Sequence, residues 1–192
     1  STILFAQETS IYTNEFKDYQ KALTLYNNQQ YKAAQSLFDD IKYETEDETL
    51  KSDCSYYIAN CAVRLNQKNA DDLIEDFVEE YPTSTKRNTA FLDVADYYFE
   101  NDAFSYSRKW YEKVDEMSIS PPEQDKFNFN YGYSLYVTNN KNGADKYLNR
   151  VKEDGEYASQ AKYYLGYMAY EGDDYDAANE YFEAVTNNKK YK

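Results

Sequence analysis

The sequence predicts an all-α protein, a solenoid of about five helix-turn-helix repeats with ten helices. The main observation is a small residue that is followed twelve positions later by a second one, and then after four more by an aromatic or aliphatic residue; the second copy is one residue shorter. The first small position falls at residues 22, 59, 95, 132 and 166, so the spacings are 37, 36, 37 and 34. This period is typical of stacked helix pairs, because each pair buries its apolar face only against the next.

Composition is the second observation. The mean hydropathy is −0.96, yet the chain carries 24 Tyr and 10 Phe. Tyrosine combines packing area with a polar hydroxyl, so many of these rings can lie half-exposed on a surface. The 35 acidic and 21 basic residues give a net charge of −14, which argues against nucleic acid and anionic lipid as partners. No internal stretch approaches the roughly 20 apolar residues that span a bilayer.

The repeat frame assigns each helix in turn. The expected pairs are 15–28 with 31–43, 48–65 with 69–80, 87–100 with 104–116, 122–139 with 143–153, and 157–171 with 174–187. The two small residues of a copy lie where its helices cross, because a larger side chain would hold the axes more than about 8–10 Å apart. Periodic aromatic residues, among them Tyr175 and Phe182, are expected to fill the core between pairs.

The third and fifth copies carry the residues of a known family. They read Phe91, Val94, Ala95, Tyr98, Tyr111 and Val114, and then Leu165, Gly166, Tyr175, Ala178 and Phe182. Over roughly residues 15–190 the chain resembles the tetratricopeptide repeat (TPR) family. Ser107 and Gln67 depart from the family pattern, only the second copy keeps its proline, as Pro82, and the spacing is longer than the family's. The Tyr81-Pro82 ending is similar to that of TPR proteins of the bacterial envelope.

The resemblance implies a right-handed superhelix with repeats at approximately 15–47, 48–86, 87–120, 121–156 and 157–190. Arrays of this kind commonly end in a polar capping helix, because the last helix otherwise leaves an apolar face open. Only residues 188–192, Asn-Lys-Lys-Tyr-Lys, follow the last expected helix. We therefore expect residues 8–192 to be the N-terminal part of a longer TPR protein; the alternative is a partner that covers the end.

Residues 1–7 do not fit the repeat. Their apolar run with a small residue at Ala6 is typical of the end of a secretory signal peptide, which would place the mature start near Gln7. No cysteine follows the run, so a lipoprotein signal is not indicated. These features favour an exported periplasmic protein. The alternative is a short apolar segment that docks onto the first repeat of a cytoplasmic protein.

Nothing in the sequence favours catalysis, a cofactor or a metal. The chain has no histidine, which removes the commonest general base and metal ligand. Cys54 and Cys61 lie seven residues apart on one helix, about 10 Å along its axis, which is too far for a disulfide. We expect both to be buried core residues. The acidic residues Asp71 and Asp72 suit the first turn of a helix, and the sequence around Gly172 is an ordinary turn between two helices and not a calcium loop.

The function is expected on the concave surface, which in TPR proteins is formed by the first helix of each pair. The corresponding aromatic residues predict a partner-binding channel: Tyr19, Tyr26, Tyr56, Phe99, Phe129, Tyr133, Tyr136, Tyr163, Tyr167 and Tyr170. Rigid aromatic side chains are common at binding surfaces. The alternative is that part of these rings are buried spacers between neighbouring helices.

Two classes of function remain. The lysines with which some TPR domains hold a C-terminal carboxylate are missing, so an extended or helical peptide with apolar anchors and some basic character is the expected ligand. The first class is a periplasmic scaffold or adaptor of an envelope machine for outer-membrane assembly or secretion. The second is a cytosolic regulatory or assembly module. An enzyme is a distant third.

Overall fold

The structure is a computed structural model that describes residues 16–187. Over that range the chain consists of helices joined by short turns, with no strand, so the predicted all-α class is confirmed. The expectations for residues 1–7 fall outside the described residues. The helices are α1 (16–27), α2 (Tyr31–Glu44), α3 (Glu48–Arg64), α4 (Ala70–Glu80), α5 (Arg87–Glu100), α6 (Phe104–Tyr111), α7 (Pro121–Val137), α8 (Lys141–Leu148), α9 (Ala158–Glu171) and α10 (Tyr175–Asn187).

Two helices end earlier than predicted. α6 ends at Tyr111 and α8 at Leu148, each five residues short of the expected end. In both places the next turn tightens, because Val114 N–H donates to the Tyr111 carbonyl and Val151 N–H to the Leu148 carbonyl, three residues back. Val114 and Val151 remain buried. The apolar pattern therefore continued past the helix end and made the predicted helices too long.

The described residues form two compact units, which divide between Asp93 and Val94, within α5. In the N-terminal unit, α1, α2 and α3 share a core that includes Ala22, Phe38 and Ile58. In the C-terminal unit, α7 packs on α6 and α8, and α9 packs on α8 and α10.

The small residues of the repeat frame lie where the prediction placed them. Ala22, Ala34, Ala95 and Ser107 are completely buried. A Cβ atom on Gly132 would lie 2.9 Å from Leu148 Cγ, and one on Gly166 would lie 2.9 Å from Phe182 Cε1. Real Cβ atoms do not approach other atoms so closely, so these glycines allow the two helices of a pair to touch.

Each turn between the paired helices contains one left-handed residue. It stands seven residues after the first small position in every repeat, at Gln29, Asn66, Asp102, Asn139 and Asp173, with φ between 51° and 63°. Four of the five are Asn or Asp, the residues other than glycine that adopt this conformation most readily. The expected ordinary turn around Gly172 is confirmed, because Asp173 is its left-handed residue.

The two cysteines are free and buried, as predicted. Burial raises the pKa of Cys54 and of Cys61 to about 12, so both thiols stay protonated near neutral pH. Asp71 and Asp72 lie in the first turn of α4, also as predicted.

Candidate protein-binding surface

In the N-terminal unit the predicted aromatic residues serve mainly as packing. Tyr19 and Tyr26 are partly buried against Tyr57, with ring centroids 6.4 Å and 5.1 Å away. Tyr56 is only 6% exposed. It packs on Phe77 at 5.9 Å, and its hydroxyl donates to Asp93. The prediction that Tyr56 lines an open face is therefore wrong, because the neighbouring helices cover it.

Tyrosine hydroxyls of this unit also form hydrogen bonds within the chain. Tyr19 Oη donates to Asp53 Oδ2 at 3.2 Å. Burial raises the pKa of Tyr19, Tyr26 and Tyr56, and nearby carboxylates raise it further at Tyr19 and Tyr56. The hydroxyls therefore remain neutral, and those of Tyr19 and Tyr56 donate to a carboxylate of the following repeat.

A cation lies on the rings of the first repeat. The Arg64 guanidinium lies 5.3 Å from the Tyr26 ring centroid and 5.8 Å from that of Tyr31. The two rings are 5.5 Å apart with an interplanar angle of 70°. Arg64 also donates to Asn60 Oδ1 at 2.9 Å. A tyrosine pair in the first repeat thus binds a side chain that the second repeat provides.

In the C-terminal unit, the rings of α5 and α7 form a second cluster. Phe99 lies edge-on to Phe129 and to Tyr133, with ring centroids 6.4 Å and 5.8 Å away. Phe129 is 9% exposed and stacks on Tyr157 at 5.1 Å, so the prediction of an open position for Phe129 is also wrong. Tyr133 and Tyr136 are half-buried.

Three residues of this cluster were not predicted. Phe104, Tyr157 and Tyr164 lie outside the positions that the repeat frame assigns to the concave face. Tyr164 bridges α9 to α7, 4.7 Å from Tyr133 and 5.6 Å from Tyr136, and burial raises its pKa to about 12. The sequence contained a signal for Tyr164. Tyr163 and Tyr164 are consecutive, and consecutive residues of a helix do not share a face, so Tyr164 could not lie on the same face as Tyr163.

The exposed rings are concentrated on α9 and at the start of α10. Tyr163, Tyr167 and Tyr170 are 48%, 40% and 56% exposed, and their spacing of four and three residues places them on one side of α9. Tyr175 is 54% exposed, which corrects its prediction as a core residue. We call these four residues, together with the half-buried Tyr136, the tyrosine face.

Ring contacts join four residues of the tyrosine face in two pairs. Tyr136 lies 6.5 Å from Tyr167, edge to face, and Tyr170 lies 5.6 Å from Tyr175. The face therefore consists of these two ring pairs and Tyr163, which lies on the same side of α9 as Tyr167 and Tyr170. Contiguous exposed apolar surface of this kind marks interaction sites.

Acidic residues surround the tyrosine face. The segment 158–187 contains six carboxylates, namely Glu171, Asp173, Asp174, Asp176, Glu180 and Glu183, and one basic residue, Lys162. Asp173 Oδ1 accepts from the Tyr175 hydroxyl at 2.9 Å, and Asp174 Oδ1 accepts from Ala177 N–H at 3.1 Å. The C-terminal end of α9 adds the partial negative charge of its free carbonyls. The charged groups of this segment around Tyr170 and Tyr175 are therefore mainly negative.

Two further findings concern the described residues as a whole. Within 16–187, no three or more Asp, Glu, Cys or His side chains are grouped so that they could hold a metal ion. None of the helices in this range combines the length and the apolar character that crossing a membrane requires.

Comparison with known proteins agrees with the repeat frame. The family model described as Tetratricopeptide repeat matches residues 53–84 and 160–188. No curated protein matches the chain.

Solved structures share the fold. The chain superposes on "MamA RS-1 ArsTM double mutant" with a TM-score of 0.67 at 11% identity, over 90% of this chain and 92% of that one. For "MamA MSR-1 C2" the TM-score is 0.64 at 11% identity, over 90% and 95%. For "MamA AMB-1 C2221" it is 0.64 at 11% identity, over 90% and 96%. At this identity the likeness establishes the fold alone, and it confirms the predicted TPR-like architecture.

Proposed function

We propose that this chain, which carries tetratricopeptide repeats, is a non-enzymatic protein–protein interaction scaffold whose tyrosine face binds a segment of a partner protein. The observation that carries the proposal is the concentration of Tyr163, Tyr167, Tyr170 and Tyr175 on one hairpin, each at least 40% exposed. Tyrosine offers a large contact area at low entropic cost, because only two side-chain torsions must be fixed.

The tyrosine face is a better candidate than the rings of the N-terminal unit. Tyr19, Tyr26 and Tyr56 are partly or fully buried, and they contact Asp53, Arg64 and Asp93 within the chain. A ligand would have to displace those contacts and leave buried polar groups unpaired, which is costly. Tyr167 and Tyr170 are exposed and need no such rearrangement.

We further propose that the protein acts in the periplasm, as part of an envelope machine for outer-membrane assembly or secretion. The apolar run of residues 1–7 and the Tyr81-Pro82 ending support this location. A cytosolic assembly module is the alternative. Fractionation of cells that express the full gene decides between them, because an exported protein is released with the periplasmic contents.

Site-specific photocrosslinking tests the binding surface. The photoreactive residue p-benzoylphenylalanine replaces Tyr167 in one variant and Tyr43 in the other, since Tyr43 is 92% exposed on α2 of the other unit. In cells of the native organism, we expect a discrete adduct from position 167 and not from position 43. Equal labelling from both positions, or none from position 167, would contradict the proposal.

A substitution series tests whether the rings bind or pack. Tyr167→Ala and Tyr170→Ala should abolish co-purification of the adduct partner while the melting temperature stays near that of the parent protein. Tyr133→Ala and Tyr136→Ala should reduce both, because these rings also contact Tyr164. If Tyr167→Ala unfolds the protein as readily as Tyr133→Ala, the exposed rings are packing residues.

A further inference from the structure

We infer that the tyrosine face recognises a lysine or arginine side chain of its partner, which stacks between Tyr170 and Tyr175. This inference rests on the proposed function and adds the chemistry of the ligand. Tyr170 and Tyr175 form an aromatic corner. The first repeat contains an equivalent corner, and there an arginine of the same chain lies on the two rings.

The two tyrosine pairs occupy equivalent positions. Tyr26 and Tyr31 stand four and nine residues after Ala22, and Tyr170 and Tyr175 stand four and nine residues after Gly166. Their geometries also agree. The first pair has a centroid separation of 5.5 Å and an interplanar angle of 70°, and the last pair has 5.6 Å and 68°. Each pair therefore presents two ring faces as the walls of an open corner.

In the first repeat the corner holds a cation. Arg64, from the helix that follows the pair, lies within 6 Å of both ring centroids, which is the distance at which a guanidinium is attracted to a tyrosine face. In the last repeat, no lysine or arginine within residues 16–187 lies over either Tyr170 or Tyr175. Both rings are instead more than half exposed.

The third repeat shows that the occupant depends on the chemistry of the pair. Phe99 and Phe104 stand at the same positions, 5.6 Å apart at 73°. Their corner holds the Tyr133 ring, 5.8 Å from Phe99 and 5.1 Å from Phe104. A phenylalanine pair thus takes an aromatic ring and a tyrosine pair takes an arginine, so the Tyr170–Tyr175 corner suits a cation.

Charge around the corner favours the same ligand. Lys141 already pairs with Glu171 at 3.1 Å. Asp173 and Asp174 lie at the turn that joins Tyr170 to Tyr175, and neither forms an ion pair with a lysine or arginine of residues 16–187. A cation on the rings would gain from both carboxylates and from the C-terminal end of α9. A second copy of this chain is disfavoured as the occupant, because the same acidic surface would meet itself in a chain of net charge −14.

The probe is a 12-residue acetylated and amidated peptide that alternates leucine and arginine. Its control replaces every arginine by citrulline, which keeps the shape and removes the charge. We expect the arginine peptide to bind at least about tenfold more tightly in calorimetric titration at low salt. In spectra of protein with isotope-labelled tyrosine, its addition should shift the ring signals of Tyr170 and Tyr175, assigned from the leucine variants.

Four variants test whether the arginine peptide binds at the corner of Tyr170 and Tyr175. Tyr170→Leu and Tyr175→Leu keep apolar area but remove the ring quadrupole, and each should weaken arginine-peptide binding about threefold. Tyr170→Phe keeps the π face but removes one hydroxyl of the tyrosine pair, so it should weaken binding by less than Tyr170→Leu does. Tyr106→Leu is the control, since Tyr106 is 56% exposed on α6. It should leave the affinity unchanged.

A matched pair of variants tests how much the Asp173 charge contributes to binding of the arginine peptide. Asp173→Asn keeps a residue that tolerates the left-handed conformation, and Asp102→Asn makes the same change at the equivalent turn of the third repeat. We expect the first to weaken arginine-peptide binding about twofold and the second to leave it unchanged.

The outcomes separate this inference from the proposed function. Equal affinity for the arginine and citrulline peptides overturns the inference, whereas crosslinking from position 167 would still support the binding surface. If deletion of residues 188–192, which include three lysines, raises affinity for the arginine peptide more than tenfold, the occupant is the chain's own tail and the inference of a partner cation is wrong.

Discussion

The tyrosine pairs of the first and last repeats have the same sequence positions and nearly the same geometry, but different neighbours. Tyr26 and Tyr31 are covered by Arg64, whereas Tyr170 and Tyr175 are open to solvent. A similar contrast holds about two helix turns earlier in the repeat, where Tyr56 of the second repeat is buried and Tyr163 of the fifth is 48% exposed. These tyrosines thus occupy equivalent positions of the repeat, and the next helix decides whether a ring is covered or stays exposed.

The largest expected effect compares Tyr56 with Tyr163, which both stand three residues before the first small residue of their repeat. Tyr56→Ala should cost about 3–5 kcal/mol of unfolding free energy, because it removes a buried ring and leaves a cavity beside Phe77. Tyr163→Ala should cost less than about 1 kcal/mol, since half of its ring is already in water. Urea denaturation followed by circular dichroism measures both. Similar losses for the two variants would mean that burial does not distinguish the repeats.

Next in size is the helix crossing of the fifth repeat. Gly166→Leu should cost about 1–3 kcal/mol, because a side chain there would overlap Phe182 and Tyr181 and push α9 from α10. Gly172→Ala is the matched control. Its Cβ would meet only the Met168 and Ala169 carbonyl oxygens at 3.4 Å, an ordinary contact, so stability should stay within about 0.5 kcal/mol. An unchanged melting temperature for Gly166→Leu would contradict the assigned repeat frame.

In the covered corner of the first repeat, the interaction energy between the Arg64 cation and a tyrosine ring can be measured directly. In a double-mutant cycle with Arg64→Met and Tyr26→Leu, we expect a coupling free energy of about 1 kcal/mol, because the guanidinium is partly withdrawn from water. The same cycle with Arg64→Met and Tyr170→Leu should give no coupling, as the two residues belong to different corners. A coupling near zero for Tyr26 would remove the precedent on which the open corner is interpreted.

The sequence predicted the parts of the fold that depend on close packing within one hairpin. Ala22, Ala34, Gly132 and Gly166 mark the helix crossings, since only small side chains fit there. From that frame, each of the ten helices within residues 16–187 begins within two residues of its predicted start. The shortened ends of α6 and α8 were missed, because the apolar positions Val114 and Val151 are buried in tight turns as readily as in helix.

The candidate site was less predictable, because exposure depends on the neighbouring hairpin. Tyr56 and Phe129 were expected on an open face and are buried, whereas Tyr175 was expected in the core and is exposed. The periodic pattern cannot separate these cases, since all three are aromatic residues at regular repeat positions. The contacts that decide them, Asp93 with Tyr56 and Tyr157 with Phe129, come from residues 28 or more positions away in the sequence.

The smallest expected effect concerns the turn of the first repeat. Gln29 has φ of 59°, where the equivalent residues of the other repeats are Asn or Asp. Gln29→Asn should stabilise the protein by about 0.5 kcal/mol, because a short polar side chain is less strained in the left-handed region. Gln20→Asn, on the exposed side of α1, should have the opposite sign, since asparagine is a poorer helix former than glutamine. Thermal denaturation of the two variants measures the sign of each change in stability. A destabilising Gln29→Asn would show that the turn is held by contacts of the glutamine side chain and not by its backbone conformation.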